Sequence, residues 1–193
     1  KLSRDEDFGN LRNALDKLAT APIYIDDQPA NNILKMRSVA RRLKSEKGLG
    51  LIVVDYLQLM SPTQSKNNDN VVQQITEISR SLKQLARELK VPVLALSQLS
   101  RDVEKRGGSG RPKLSDLRDS GSIEQDADVV MFIHREDKYR ETADGKNIAQ
   151  IHVDKHRNGP VGSIELFFDE ERTTFLNLDK SNIADFMKED GVF

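Results

Sequence analysis

Residues Leu51 to Leu59, Leu-Ile-Val-Val-Asp-Tyr-Leu-Gln-Leu, constrain the fold of this chain more than any other stretch. Four aliphatic residues in succession, with no polar alternation, predict a strand covered on both faces, as in the middle of a parallel sheet. A parallel neighbour requires a crossover connection, so helices must flank this strand in the sequence. On one side, Asn31 or Asn32 can cap a helix that carries Ile33, Met36, Val39, Ala40 and Leu43 and is stopped by Gly48. On the other, Val72, Ile75, Ile78, Leu82, Leu85 and Leu89 mark a helix of about five turns. Pro22 to Asp27 reads as a short strand before the helix capped by Asn31 or Asn32, and Pro92 to Gln98 as an apolar strand after the helix that ends near Leu89. Two right-handed βαβ crossovers follow. Asp55 and Gln98 then share the carboxyl edge of the sheet, where ligands bind in open α/β folds.

The flanking regions fill in the architecture. Ser3-Arg4-Asp5-Glu6 has the form of a capping box, with Phe8, Leu11, Leu15 and Leu18 behind it at helical spacing, so a first helix should run to about Ala19. Ser61 to Asn70 is a polar surface loop, and Arg101 to Lys113, with Gly107, Gly108 and Gly110, a mobile one. Ser115 to Ala127 looks like short helical turns broken at Gly121, and Asp128 to His134 like a strand. After a charged loop from Arg135 to Asn147, turning at Asp144-Gly145, the rhythm becomes strand-strand over 148–155, 163–169 and 172–178. The sheet should therefore finish with antiparallel pairs. The expected class is α/β, a largely parallel twisted sheet with flanking helices and antiparallel strands at the carboxy-terminal end. One domain is expected over 1–180, with 181–193 a tail or short amphipathic helix using Ile183, Phe186 and Met187. There is no internal repeat.

Composition excludes several functions. The chain's 193 residues suffice for one domain with a sizeable core. Its 30 basic and 31 acidic side chains leave almost no net charge, so any nucleic-acid contact must be concentrated in particular loops. Without cysteine there are no disulfides or thiolate metal sites, which suits the cytoplasm. No apolar run reaches membrane-spanning length, and the residues from Lys1 to Arg4 lack a signal peptide's hydrophobic region. A start without Met suggests a fragment of something longer.

Several constellations could carry chemistry. An acid closing an apolar central strand is the Walker B pattern, and a polar residue on the adjacent strand can sense a γ-phosphate, so Asp55 and Gln98 could flank one phosphate group. Two polar strand ends facing solvent would look the same. No Gly-x-x-x-x-Gly-Lys-Ser/Thr occurs, and neither Gly145-Lys146 nor Gly107 to Lys113 has the context that lets backbone amides cradle phosphate. This stretch by itself is expected to bind ATP poorly.

Arg101 to Arg118 sets six cations against three acids on flexible backbone, and Gly121 permits close main-chain approach, a composition able to grip a phosphate backbone or merely to be solvated. Lys155 and Arg157 alternate at a strand end and point to one side, as an arginine finger reaching a neighbouring subunit would, or as a surface ion pair. His152 and His156 would lie roughly 13 Å apart in a strand, too far to share a metal, so with His134 they read as structural or solvent-facing. Arg37, Arg41 and Lys44 lie opposite the apolar stripe of their helix and read as an exposed face.

Several long runs together resemble the carboxy-terminal motor domain of the DnaB family of bacterial replicative DNA helicases. They are Val53 to Met60, Glu77 to Lys83, Val91 to Leu99, Asp116 to Asp128, and Lys155-His156-Arg157-Asn158-Gly159-Pro160, in the family's order and covering nearly everything up to Leu178. The resemblance implies a RecA-like ATPase core that assembles as a hexameric ring, encircles single-stranded DNA, moves 5′ to 3′ and unwinds duplex at the fork, with primase and a helicase loader as partners. Asp55 resembles the acid that binds magnesium through water, and Gln98 the γ-phosphate sensor. Arg118, Asp119 and Gly121 align with the channel loop that holds DNA, although the family usually has Glu where Asp119 stands. Lys155 and Arg157 resemble the pair inserted into the adjacent subunit's ATP site. The family's Walker A loop, catalytic glutamate and primase-binding domain would all precede Lys1, so this stretch alone is expected not to hydrolyse ATP. Two other readings share features with this one. A RecA-like recombinase or repair ATPase has the same core without the Asp-Leu-Arg-x-Ser-Gly-Ser-Ile-Glu-Gln run, and a non-catalytic fragment would keep only DNA-binding and oligomerisation surfaces.

Overall fold

A computed structural model of the chain describes residues 5–28, 32–62, 71–100, 103, 110–136 and 147–178. Among the described residues, four helices, α1 (Asp5–Thr20), α2 (Ile33–Lys47), α3 (Val71–Leu89) and α4 (Gly121–Asp126), accompany six strands. The strands are β1 (Ile52–Val54), β2 (Val93–Ala95), β3 (Val129–His134), β4 (Ile148–His156), β5 (Gly162–Asp169) and β6 (Thr174–Asn177). Two 3-10 segments, Leu57–Leu59 and Leu114–Ser120, follow β1 and precede α4.

The crossover through α3 forms as its periodicity requires. β1 and β2 are parallel, with Ile52 opposite Val93 and Val54 opposite Ala95. The Leu96 amide continues the ladder to the Val54 carbonyl at 2.9 Å. Asn32 caps α2 by accepting the Lys35 amide at 2.9 Å, and Gly48 ends it at φ +77°, a left-handed backbone that favours glycine. The apolar stripes of α2 and α3 close on β1 and β2. Ile33, Ala40, Val54, Leu57, Ile78, Leu82, Leu85, Leu89 and Val91 form the main core, with Leu85 completely buried. A smaller cluster of Leu117, Val130 and Phe132, with Leu99, Leu114 and Ile123 against it, fastens the second 3-10 segment and α4 to β3.

The remaining strands form a separate antiparallel sheet in the order β3-β4-β5-β6, with a register shift between Val130 and Met131. The α/β class with antiparallel strands at the carboxy-terminal end is therefore found, and its parallel part comprises two of the described strands.

Three expectations are corrected. Pro22 to Asp27 is not a strand. Its backbone pairs with nothing extended, and Ile23, Tyr24 and Ile25 are exposed, because among the described residues no strand lies beside them to complete a ladder. β1 is not covered on both faces either. Val53 is 56% exposed and Leu94 is open beside it, since the described helices that pack there meet only the opposite face. The basic face of α2 is not simply solvated: Arg37 and Arg41 both pair with Glu88 of α3, Arg37 at 3.4 Å, and Lys44 donates to the Leu89 carbonyl.

The apolar stripe of α1, Phe8, Leu11, Leu15 and Leu18, is also exposed. The proposed tail and most of the loops expected around 61–70, 101–113 and 135–147 lie outside the described residues, as does the capping residue Ser3. Among the described residues no helix is long and apolar enough to cross a membrane.

Candidate functional site

Because β1 and β2 run parallel and in register, the chain leaves both at one edge of the sheet. Asp55 is the first residue beyond β1, and Gln98 follows three residues beyond β2. The Asp55–Tyr56 peptide is cis, and the 3-10 turn after it brings Gln58 back over the end of β2. There the Gln58 side-chain amide nitrogen donates to Ser97 Oγ at 3.1 Å and to the Gln98 carbonyl at 3.2 Å, and its oxygen accepts the Gln98 amide at 3.2 Å. Gln58 thus imitates a strand partner for the backbone of Gln98. Among the described residues the side chains of Asp55 and Gln98 themselves have no hydrogen-bonding or ionic partner, so both can serve a ligand. A cavity of about 180 Å³ opens beside Gln98, lined by Gln58, Gln98, Ser100 and Asp116 over Val71 and Ile75, and Asp55 is not part of its lining. Asp116 is buried and accepts the Lys113 amide at 2.7 Å, which turns its carboxylate toward the start of the 3-10 segment.

No group of three His, Cys, Asp or Glu side chains able to hold a metal ion occurs among the described residues. A single uncommitted carboxylate does fit magnesium, which dehydrates reluctantly and is usually held by one or two carboxylates, waters and substrate phosphate. Asp55 meets that requirement and no all-protein cage does.

Lys155 near the end of β4 and Arg157 just beyond it sit on the carboxyl end of α4. Lys155 donates to the Glu124 carbonyl, and Arg157 Nη2 to the Gln125 carbonyl at 2.8 Å. The Arg157 backbone amide meets the Asp128 carbonyl at 2.8 Å, and its Nε lies 3.3 Å from the Asp128 carboxylate. Asp128 also accepts from Lys83 of α3, and this hydrogen bond is the chief reason its carboxyl stays below the ordinary range, with Arg157 adding to the effect. Beyond the cation pair, the exposed His156 ring lies where a Cβ on Gly159 would meet it at 2.9 Å, a contact that the ring can relieve by turning.

Arg118 and Asp119 lie in the 3-10 segment, which is kinked at Leu117 and continues into α4 at Gly121, so the break expected at Gly121 falls at Leu117 instead. Gly121 has φ −51°, ordinary right-handed helical backbone, and nothing lies within 4 Å of the position its Cβ would occupy. Nothing among the described residues requires a glycine at this point.

The model of the DnaB-like helicase C terminal domain family matches residues 1–177. The chain belongs to this family. It is 53% identical over 175 residues to the replicative DNA helicase DnaB of Geobacillus stearothermophilus and 51% identical over 176 residues to the replicative DNA helicase DnaC of Bacillus subtilis. Those alignments take in 91% of this chain and 38% of each relative, so the chain spans well under half the length of the curated relatives it matches. Among solved structures it is similar to a DnaB-like replicative helicase described with its primase interactions, with TM-score 0.84 and 43% identity over 93% of this chain and 42% of that one. A second solved structure, described as an ATPase domain, matches with TM-score 0.85 and 42% identity over 93% of this chain and 62% of that one.

Within this DnaB-like domain, sequence reasoning misses the residues that hold the others. Gln58, Asp128 and Lys83 lie inside the runs that carry the resemblance, yet a pairing signal between positions some forty residues apart is not visible in periodicity. Ser79 is another: its hydroxyl donates to Asp126 at 2.9 Å and ties α3 to the end of α4. His134 and His152, read from sequence as structural or solvent-facing, are both buried on neighbouring antiparallel strands with ring centroids 6.3 Å apart, and desolvation lowers the pKa of His152.

Proposed function

We propose that the chain forms part of the ATP-hydrolysing motor of a cytoplasmic, ring-shaped replicative DNA helicase that moves 5′ to 3′ on single-stranded DNA. The observation that carries this reading is the parallel pairing of β1 and β2, which leaves an uncommitted carboxylate and an uncommitted amide at one sheet edge. Asp55 would hold magnesium through water, and Gln98, its backbone fixed by Gln58, would report the γ-phosphate. Bound nucleotide supplies the transferable phosphoryl group, and the chain's own residues orient and neutralise it. Lys155 and Arg157 would reach the nucleotide of the next subunit in a homohexamer, while Arg118, Asp119 and Gly121 contact the DNA backbone in the channel. Primase and a helicase loader are the expected partners. Family membership over residues 1–177 supports this assignment.

The deciding experiment is Arg157→Ala in the full-length protein. DNA-stimulated ATP hydrolysis should fall by about a thousandfold, the lower range for loss of an arginine finger, while ATP binding is retained. Hydrolysis at the unsubstituted rate would remove Arg157 from the nucleotide site.

A further inference from the structure

The two cations assigned to a neighbour's nucleotide are occupied in their own chain, and by one small element. Lys155 and Arg157 donate to the Glu124 and Gln125 carbonyls of α4, and Asp128, two residues past its end, holds Arg157 by both carboxylate and backbone carbonyl. A helix of six residues is marginal by itself, and its last carbonyls have no intrahelical partners. The cations supply those partners and favour the negative end of the helix dipole. At its other end α4 continues directly from the 3-10 segment that contains Arg118 and Asp119.

We propose that Asp128 and the last-turn carbonyls of α4 form a seat for Arg157 and Lys155, which a nucleotide phosphate across the subunit boundary empties, loosening α4 and the Arg118–Ser120 segment joined to it. This rests on the nucleotide reading of the cation pair given above. Asp128 is then a positioning residue, acting through Arg157. Arg157 and Asp128 are 50% and 55% exposed, so their pair is screened by solvent and is readily exchanged for a charge-assisted bond to phosphate. Lys83 has a second grip on the Asp128 carboxylate and keeps the seat itself attached to α3 when the cations leave.

Linkage is reciprocal. DNA that holds the Arg118–Ser120 segment in its loosened placement weakens the seat, frees the cations and raises hydrolysis. In this way one short helix connects the strand in the channel to the phosphate at the boundary.

The test is Asp128→Asn in the full-length assembly, which keeps the shape and removes the charge. Hydrolysis without DNA should rise about threefold, as expected for losing an exposed ion pair, and stimulation by DNA should shrink by the same factor. Asp128→Glu should restore both. Unchanged rates, or a parallel fall with and without DNA, would overturn the proposal. Should the Asn variant fail to assemble, hydrogen exchange of the unsubstituted protein decides. Amides of residues 121–128 should exchange faster when a non-hydrolysable ATP analogue binds, and equal or slower exchange would overturn the seat. Arg157→Ala separates the two levels: if it abolishes hydrolysis while Asp128→Asn changes nothing, only the seat is lost, whereas if it has no effect the motor reading of the pair fails first.

Discussion

At Gly121 the chain carries a residue that the described fold does not need. The backbone there is right-handed helical and the Cβ position is open, so alanine fits without strain and would reduce the freedom of the unfolded chain. Gly121→Ala should therefore stabilise the chain by about 0.4–1 kcal/mol in urea titration. If the glycine is present so that a phosphate backbone can approach the main chain, the same substitution weakens binding of a single-stranded oligonucleotide, and undiminished binding would refute that role. His152 is the opposite case, a residue the fold encloses. Burial disfavours its charged form and Arg111 acts in the same direction, with Asp154 opposing them and the buried His134 ring alongside. Its folded pKa thus lies below the ordinary 6.5, so as pH falls through that value the unfolded chain takes up a proton that the folded chain refuses. Stability should be fully present above about pH 6.5 and decline below it. His152→Leu should flatten this part of the profile when urea midpoints are compared at about pH 7.5 and about pH 5.5. A wild-type midpoint that is level across this range would contradict the assignment.

At the scale of elements, what is legible in the sequence depends on whether local pattern or a distant partner decides the outcome. α2 and α3 can be read almost to their ends, because Asn32, Gly48 and the spacing from Ile75 to Leu89 act within one helix. The β4–β5–β6 meander is legible for the same reason: its turns lie at Asn158-Gly159-Pro160 and at Asp169, whose carboxylate accepts the Arg172 amide at 3.1 Å. Pro22 to Asp27 has strand composition and no strand, since β-structure requires a neighbour that composition does not name. Ion pairs escape sequence reading for a related reason. Arg41 and Glu88, or Arg157 and Asp128, are far apart in sequence and meet only when helices and strands are in place. The burial of His134 and His152 is equally hidden, because a lone strand does not reveal which of its faces will be covered.

For the molecule as a whole, charge decides what kind of nucleic-acid binder it can be. With 30 basic and 31 acidic residues this chain has no general field to hold DNA, so on the proposed function its share of the affinity would come from a few placed cations, repeated if the chain assembles as proposed. On the function proposed above, those contacts would be made by the segment from Leu114 to Ser120, which is tied to β3 through Leu117 and continues into α4. Each cation that neutralises a phosphate of single-stranded DNA adds about 0.7 to the slope of log affinity against log salt. Arg118→Ala in the full-length protein should thus reduce that slope by about 0.7 for every subunit touching the strand and weaken binding alike across sequences. Lys17→Ala, on α1 and remote from the site in sequence, should leave the slope as it was. Equal slopes for the Arg118 variant and the unsubstituted protein, measured by fluorescence anisotropy over a salt series, would move the DNA contact away from this segment.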